Sequence, residues 1–214
     1  MSREPVGQSP GPCYLPAMRL ARTAAVVLAA LILAPGLVRA QSPAPPPLAT
    51  PRNDVKGLQN LARIAPGLWR SQQPTKAGFR EAKRLGIRTV INLRKLHSDR
   101  SKLAGAGLQY VHIPIAPWNP KREHVLAFLK VASDPRYQPV LVHCQHGSDR
   151  TGIMVASYRV YALGWTRERA LAELKNFGFH EIWKNLRTYF GGLDFDAIRK
   201  ELPALPMPKV ERIH

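Results

Sequence analysis

Thiols are nearly missing from this sequence: its 214 residues include two cysteines, Cys13 and Cys144. Cys13 lies in a segment laid out like a secretory signal. Arg19 and Arg22 precede an apolar stretch from Ala24 to Leu33, and Val38-Arg39-Ala40 puts small residues at the −3 and −1 positions of a cleavage site. Cleavage after Ala40 makes Cys144 the sole thiol, which excludes an intramolecular disulfide and any resolving partner in the chain. In an oxidising compartment such a cysteine is open to over-oxidation. A cysteine-rich zinc site is excluded as well, and His143 with His146 around a single Cys144 is a poor zinc set. Long apolar runs are also lacking. The longest, about eleven residues before Pro35-Gly36, falls short of the ~20 that a spanning helix needs. Residues 1–40 are therefore expected to be a signal peptide, with Met18 as an alternative start, and the mature protein to be periplasmic. The rival is an uncleaved inner-membrane anchor with the rest of the chain facing the periplasm. No cysteine sits at the cleavage site, which argues against lipoprotein processing.

Acidic residues are scarce too: 14 Asp and Glu against 32 Lys and Arg give a formal charge of +18. Residues 1–40 carry four arginines and one glutamate, so +15 remains without them. Such an excess favours anionic partners: phosphorylated proteins, small phosphoesters, or an anionic membrane surface. Nucleic acid is not expected, because the basic residues are scattered along helices with no aromatic-interleaved strip. No internal repeat is visible, and nothing in the pattern fixes an oligomeric state.

What is present reads as one α/β domain. Residues 41–54 form a proline-rich linker, 55–200 the folded domain, and 201–214 a basic tail with Pro203, Pro206 and Pro208. Thr75 to Leu85 has helical spacing and stops at Gly86. Ile87 to Leu93, Leu108 to Ile115 and Pro139 to His143 read as strands. Glu123 to Ala132 and Thr151 to Leu163 read as helices, the second apolar enough to be central. Thr166 caps a helix to about Phe177, and His180 to Glu201 holds one or two more. Strands alternating with helices predict a mostly parallel sheet of about four to five strands flanked by helices.

The chemistry concentrates in His143-Cys144-Gln145-His146-Gly147-Ser148-Asp149-Arg150-Thr151-Gly152. A cysteine six positions before an arginine, between a strand and a helix start, is an anion-holding arrangement. The helix N-terminus and Arg150 favour the thiolate, the form that attacks. Inward-pointing loop N–H groups and the arginine fork suit a tetrahedral oxyanion. The competing reading is a buried strand-end cysteine followed by a solvated arginine.

His143-Cys144, Gly147 and Arg150-Thr151-Gly152 match the H-C-x-x-G-x-x-R-[ST]-G signature, and the chain resembles the cysteine-based protein tyrosine and dual-specificity phosphatases. Ile64 to Pro74 is similar to the opening strand and turn of the compact dual-specificity-like group, and Gly86 to Arg94 to its second core strand. The resemblance covers about residues 55–200. It implies a phosphotyrosine-phosphatase-like sandwich and two-step hydrolysis through a phosphocysteine on Cys144, with no cofactor and no metal. Arg150 would grip phosphate oxygens, and the N–H groups of Gln145, His146, Gly147, Ser148, Asp149 and Arg150 would do so from beneath. Thr151 would hydrogen-bond Cys144 and ease its departure. His143 would orient the loop, while Gly147 and Gly152 would allow close approach. Arg94 is a candidate for loop support or substrate contact, and Trp118 for the pocket wall; His112 reads as structural. An inositol phosphate, pyrophosphate or phosphoinositide substrate and a non-catalytic phosphate-binding module are the alternatives. Rhodanese-type sulfur transfer fits Arg150-Thr151-Gly152 poorly.

The family's usual acid, an aspartate on an upstream loop, is lacking. Ile115 to Glu123 reads Ile-Ala-Pro-Trp-Asn-Pro-Lys-Arg-Glu. Asp134 sits at a helix end, where capping is its expected task. Three solutions stand open. Asp149 could serve, as a loop aspartate is proposed to do in the D-R-T-G variant of lipid-active and atypical bacterial tyrosine phosphatases. Glu123 could reach in. Or the enzyme could work without an acid on substrates with good leaving groups.

Overall fold

The computed structural model describes residues 46–214; the signal peptide expected over 1–40 and the first linker residues lie outside them. The parallel core forms where the sequence is most continuously apolar. Strands β1 (Ala62–Ala65), β2 (Leu68–Ser71), β3 (Thr89–Arg94), β4 (Gln109–Ile115), β5 (Val140–His143) and β6 (Glu211–Arg212) make one sheet in the order β1-β2-β5-β3-β4-β6. The four inner strands run parallel, and β1 and β6 are antiparallel edges. Central β5 is buried at every position and β3 at all but Arg94, as expected for a sheet covered on both faces. Alternation sorts the side chains: Val140, Val142, Ile91 and Leu93 enter one core, Leu141 and Val90 the other.

The smaller core lies under α1 (Lys76–Arg84) and the short α2 (Arg100–Leu103). Thr75 caps α1 by accepting from the Gly78 N–H. The larger core is built around α4 (Asp149–Leu163), which is buried along most of its length. Around it stand α3 (Arg122–Ala132), α5 (Arg167–Ala172), α6 (Lys184–Gly191) and α7 (Phe195–Glu201). The expected helix to Phe177 is α5 continued by a 3₁₀ turn, and His180 to Glu201 supplies two helices. No helix among the described residues is long and apolar enough to cross a membrane.

The fold class matches the expectation, with six strands in place of four to five. One extra strand arises because Ile64 to Pro74 forms a hairpin, β1 turning at Pro66-Gly67 into β2. The other comes from the expected tail: β6 pairs with β4, and Arg100 grips Glu211 through two 2.7 Å bonds. The expected linker is also docked where it is described. Arg52 and Leu61 exchange backbone bonds, and the Ala49 N–H donates to Glu173. Glu173 is itself buried in an ion pair with Arg159 at 2.7 Å. Proline-rich composition signalled extended chain, and extended chain can lie against a domain as readily as leave it.

Candidate active site

β5 ends at His143, and the chain turns through Cys144–Ser148 into α4, at the carboxyl end of the parallel strands where such folds hold ligands. Cys144 is buried, 1% exposed. Three carbonyls of the loop are tied outward. Gln145 O accepts from the Gln73 N–H, His146 O from Asn60 Nδ2, and Gly147 O from Arg70 Nη2. In a trans peptide the next N–H points opposite to the carbonyl, so the N–H groups of His146, Gly147 and Ser148 are turned the other way, forming an anion cradle. Gly147 allows this at φ 74°, and a Cβ there would stand 2.6 Å from Ser71 O and Gln72 N.

Beside the loop, Arg94, Lys95, Leu96, His97, Pro117, Trp118, Gln145 and Arg150 line a cleft of about 250 Å³. Arg150, in the first turn of α4, is steadied by a 3.3 Å bond from Nη1 to Ile115 O. Trp118 is 64% exposed, and Lys95 Nζ lies 5.1 Å from its ring centre. The sequence-predicted cysteine loop, Arg94, Trp118 and Arg150 are thus assembled in one place.

Behind the loop runs a relay from the strand ends to the cleft. His143 Nε2 lies 2.9 Å from Asp99 Oδ2. Gln73 Nε2 donates to Asp99 Oδ1, and Arg94 Nη1 donates to Gln73 Oε1, each at 2.8 Å. Burial pushes the Asp99 carboxyl up, but the close contact and charge of His143, with the Gln73 hydrogen bond and Lys102, together overcome this and hold it below the usual range. Partial burial lowers Arg94, which also feels Asp99, Arg150 and Cys144. Asp99 was not singled out from sequence; its position just beyond the carboxyl end of β3 was the available signal.

A second unanticipated group is Arg70. It is fully buried, lies 3.6 Å over the Phe177 ring, and carries the bond to Gly147 O. Burial lowers it to about 10, against the opposing pull of Glu173 and Cys144. A buried cation therefore sits beneath the cysteine loop, on β2.

Three expectations change. Asp149 does not line the cleft: its buried carboxylate turns to His180, whose N–H donates to Oδ1 at 2.8 Å and whose Nδ1 is 3.0 Å from Oδ2. Glu123 does not reach in, its side chain being 69% exposed beside Lys121. Thr151 is fully buried, but its Oγ1 has no partner among the described residues, so the expected bond to Cys144 is not formed here. Gly152 packs against Leu174, where a Cβ would stand 2.6 Å from Cδ2.

A parallel α/β sheet presenting a buried cysteine in an N–H-lined loop, with an arginine at the following helix start, defines a cysteine-based phosphatase of the dual-specificity type, a hydrolase. The chain belongs to the family described as DSP-PTPase phosphatase fused to NAD+ kinase, whose model matches residues 52–186. It is 33% identical over 178 residues to the dual specificity protein phosphatase TpbA of Pseudomonas aeruginosa, covering 82% of this chain and 81% of that one. It is 33% identical over 152 residues to the inositol diphosphatase DSP3 of Arabidopsis thaliana, covering 66% and 73%. The crystal structure of a cysteine-to-serine variant of P. aeruginosa TpbA with phosphotyrosine superimposes with a TM-score of 0.63 at 30% identity, over 72% of this chain and 96% of that one.

Proposed function

We propose that this phosphatase acts outside the cytoplasm on phosphotyrosine-bearing proteins, through a phosphocysteine on Cys144. Cys144 Sγ attacks phosphorus, the bond to the leaving oxygen breaks, and water then cleaves the S–P bond to release phosphate and regenerate the thiolate. Arg150 and the loop N–H groups hold the oxygens throughout. One observation carries the substrate reading: the cleft has basic groups and an aromatic wall at Trp118, and no carboxylate among the described residues lines it. A positioned acid is worth roughly 10²–10⁴ in rate, and its absence weighs most on poor leaving groups. A phenolate, with a conjugate acid near pKa ~10, departs far more readily than a serine or threonine alkoxide, and the indole can stack on its ring.

Inositol diphosphates are the second reading. Arg94, Lys95 and His97 beside Arg150 suit a polyanion, the inner phosphate of a diphosphate departs without an acid when the outer one passes to Cys144, and one relative is named an inositol diphosphatase. The test uses the purified chain and its Cys144→Ser variant on phosphotyrosine peptide, phosphoserine peptide, inositol hexakisphosphate and a diphosphoinositol phosphate. Phosphotyrosine turnover is expected, abolished by the substitution, with phosphoserine at least ~100-fold slower. Equal rates on both peptides overturn the leaving-group argument. Faster release from the diphosphate shifts the substrate to the second reading. Phosphate binding without turnover leaves only a binding module. Export rests on the pattern from Arg19 to Ala40; a reporter fused after Ala40 that stays in the cytoplasm overturns it.

A further inference from the structure

On the side of the loop away from the cleft, His146, Asp149 and His180 converge. A ligand atom from each lies within 4.8 Å of the other two, and the imidazole rings are 5.3 Å apart. Sequence alone pairs His146 with His143, but the fold buries His143 against Asp99 and brings His180 instead. The three come from segments that meet at one corner of the fold. His146 belongs to the loop, its carbonyl fixed by Asn60; Asp149 opens α4; His180 follows the turn at Gly178. Ser148 Oγ donates to Phe177 O and Asn60 Nδ2 reaches the same carbonyl, stitching the His180 segment to the loop.

We infer that His146, Asp149 and His180 form a binding site for a zinc-class divalent ion on the outer side of the phosphate loop. Two imidazoles and one carboxylate are a recurrent zinc donor set that leaves a fourth position open. Asp149 is held in place for the task, because the His180 N–H donates to Oδ1 and both carboxylate oxygens lie within 3.1 Å of His180 Nδ1. Bonds of about 2.0–2.2 Å place tetrahedral ligands roughly 3.3 Å apart. Asp149 Oδ2 and His180 Nδ1 are already 3.0 Å apart, so His146, exposed at the surface, makes the remaining movement. An ion bound at His180 Nδ1 takes the place of that nitrogen's direct contact with Asp149. The ion would clamp loop, helix start and His180 segment together. It is a site beside the hydrolytic machinery and takes no part in the steps described above.

The test is zinc and cobalt(II) binding to the full chain carrying Cys13→Ser and Cys144→Ser, which removes every thiol and makes the result independent of hydrolysis. One ion per chain is expected, with visible cobalt d–d bands. His146→Ala and His180→Ala, each at an exposed side chain, should each weaken binding at least about tenfold, the lower end of what even an outer partner of a metal site costs. His97→Ala should leave it intact. Absence of a one-to-one complex, or affinity unchanged in both histidine variants, overturns the assignment.

Discussion

Asp99 and His143 stand 44 positions apart in the chain and 2.9 Å apart in the fold, with side chains at most 1% exposed. An imidazole so placed has no water to replace a lost carboxylate, and an unmet buried polar group costs about 1–3 kcal/mol. Asp99→Ala is therefore expected to lower unfolding free energy by about that amount in urea titrations. It should also reduce kcat more than it raises KM, because the strand end that carries Cys144 loses its support. An unchanged urea midpoint would show the pair to be idle. Arg70 makes a different forecast. Arg70→Met keeps an unbranched stem, removes the buried cation under the loop and frees the Gly147 carbonyl. Alkylation of Cys144 by iodoacetamide at neutral pH should slow, since less positive charge faces the sulfur. Stability should change little, because relief from burying a charge with few partners is offset by the Gly147 carbonyl left without its donor. An alkylation rate equal to that of the parent would exclude Arg70 from tuning the nucleophile.

At the scale of elements, β6 shows what holds an edge closed. Its two residues pair with β4, and Ile213 N–H reaches Leu108 O just beyond. Glu211 is held at about 2 by the hydrogen bonds of Arg100, yet the Arg100 side chain is 48% exposed and the pair is open to solvent screening. Glu211→Ala should therefore cost less than about 1 kcal/mol. Truncation after Pro208 should cost more and promote aggregation, since it leaves β4 unpaired along its edge. Comparable melting temperatures and light scattering for the two variants would contradict this. The same contrast explains what the sequence disclosed. β3, β5 and α4 were legible because burial on both sides leaves an uninterrupted apolar run, and the cysteine loop because its chemistry demands fixed residues at fixed spacing. β6 is a Glu-Arg pair among prolines and has no apolar pattern to betray it. Asp149 was legible as a carboxylate in the loop, but its orientation depends on His180, 31 residues later. Gln73 and Asp99 were hidden for the same reason, since their roles exist only once β2, β3 and β5 lie side by side.

The whole molecule is defined by its charge. The sequence has 32 Lys and Arg against 14 carboxylates; most acids among the described residues have a basic side chain within ion-pair distance, and those with resolved shifts lie low. Hydrogen bonds lower Asp54, Asp134 and Glu211, through Arg52, Arg136 and Arg100; backbone N–H groups at the α7 cap lower Asp194. At Asp99 His143, Gln73 and Lys102 together outweigh burial. A carboxyl lowered in the folded state contributes stability above its unfolded value, near pH 4, and that contribution is lost as pH falls through the folded value. All five act in the same direction on acidification. Four of them are solvent-screened and individually small, so Asp99 should dominate the site-specific part. Protonation also removes every negative charge, leaving Lys, Arg and seven His unopposed, and self-repulsion then favours expansion. The melting temperature should therefore fall steeply from about pH 5 towards pH 3. Added salt should recover the repulsive part and leave the buried Asp99 part in place, because screening acts on exposed charges. Asp99→Asn should melt lower at pH 7 but show a shallower acid limb, converging on the parent near pH 3. A parent whose melting temperature stays level through that range would refute the argument from charge. Parallel acid limbs for parent and Asp99→Asn would remove Asp99 from it.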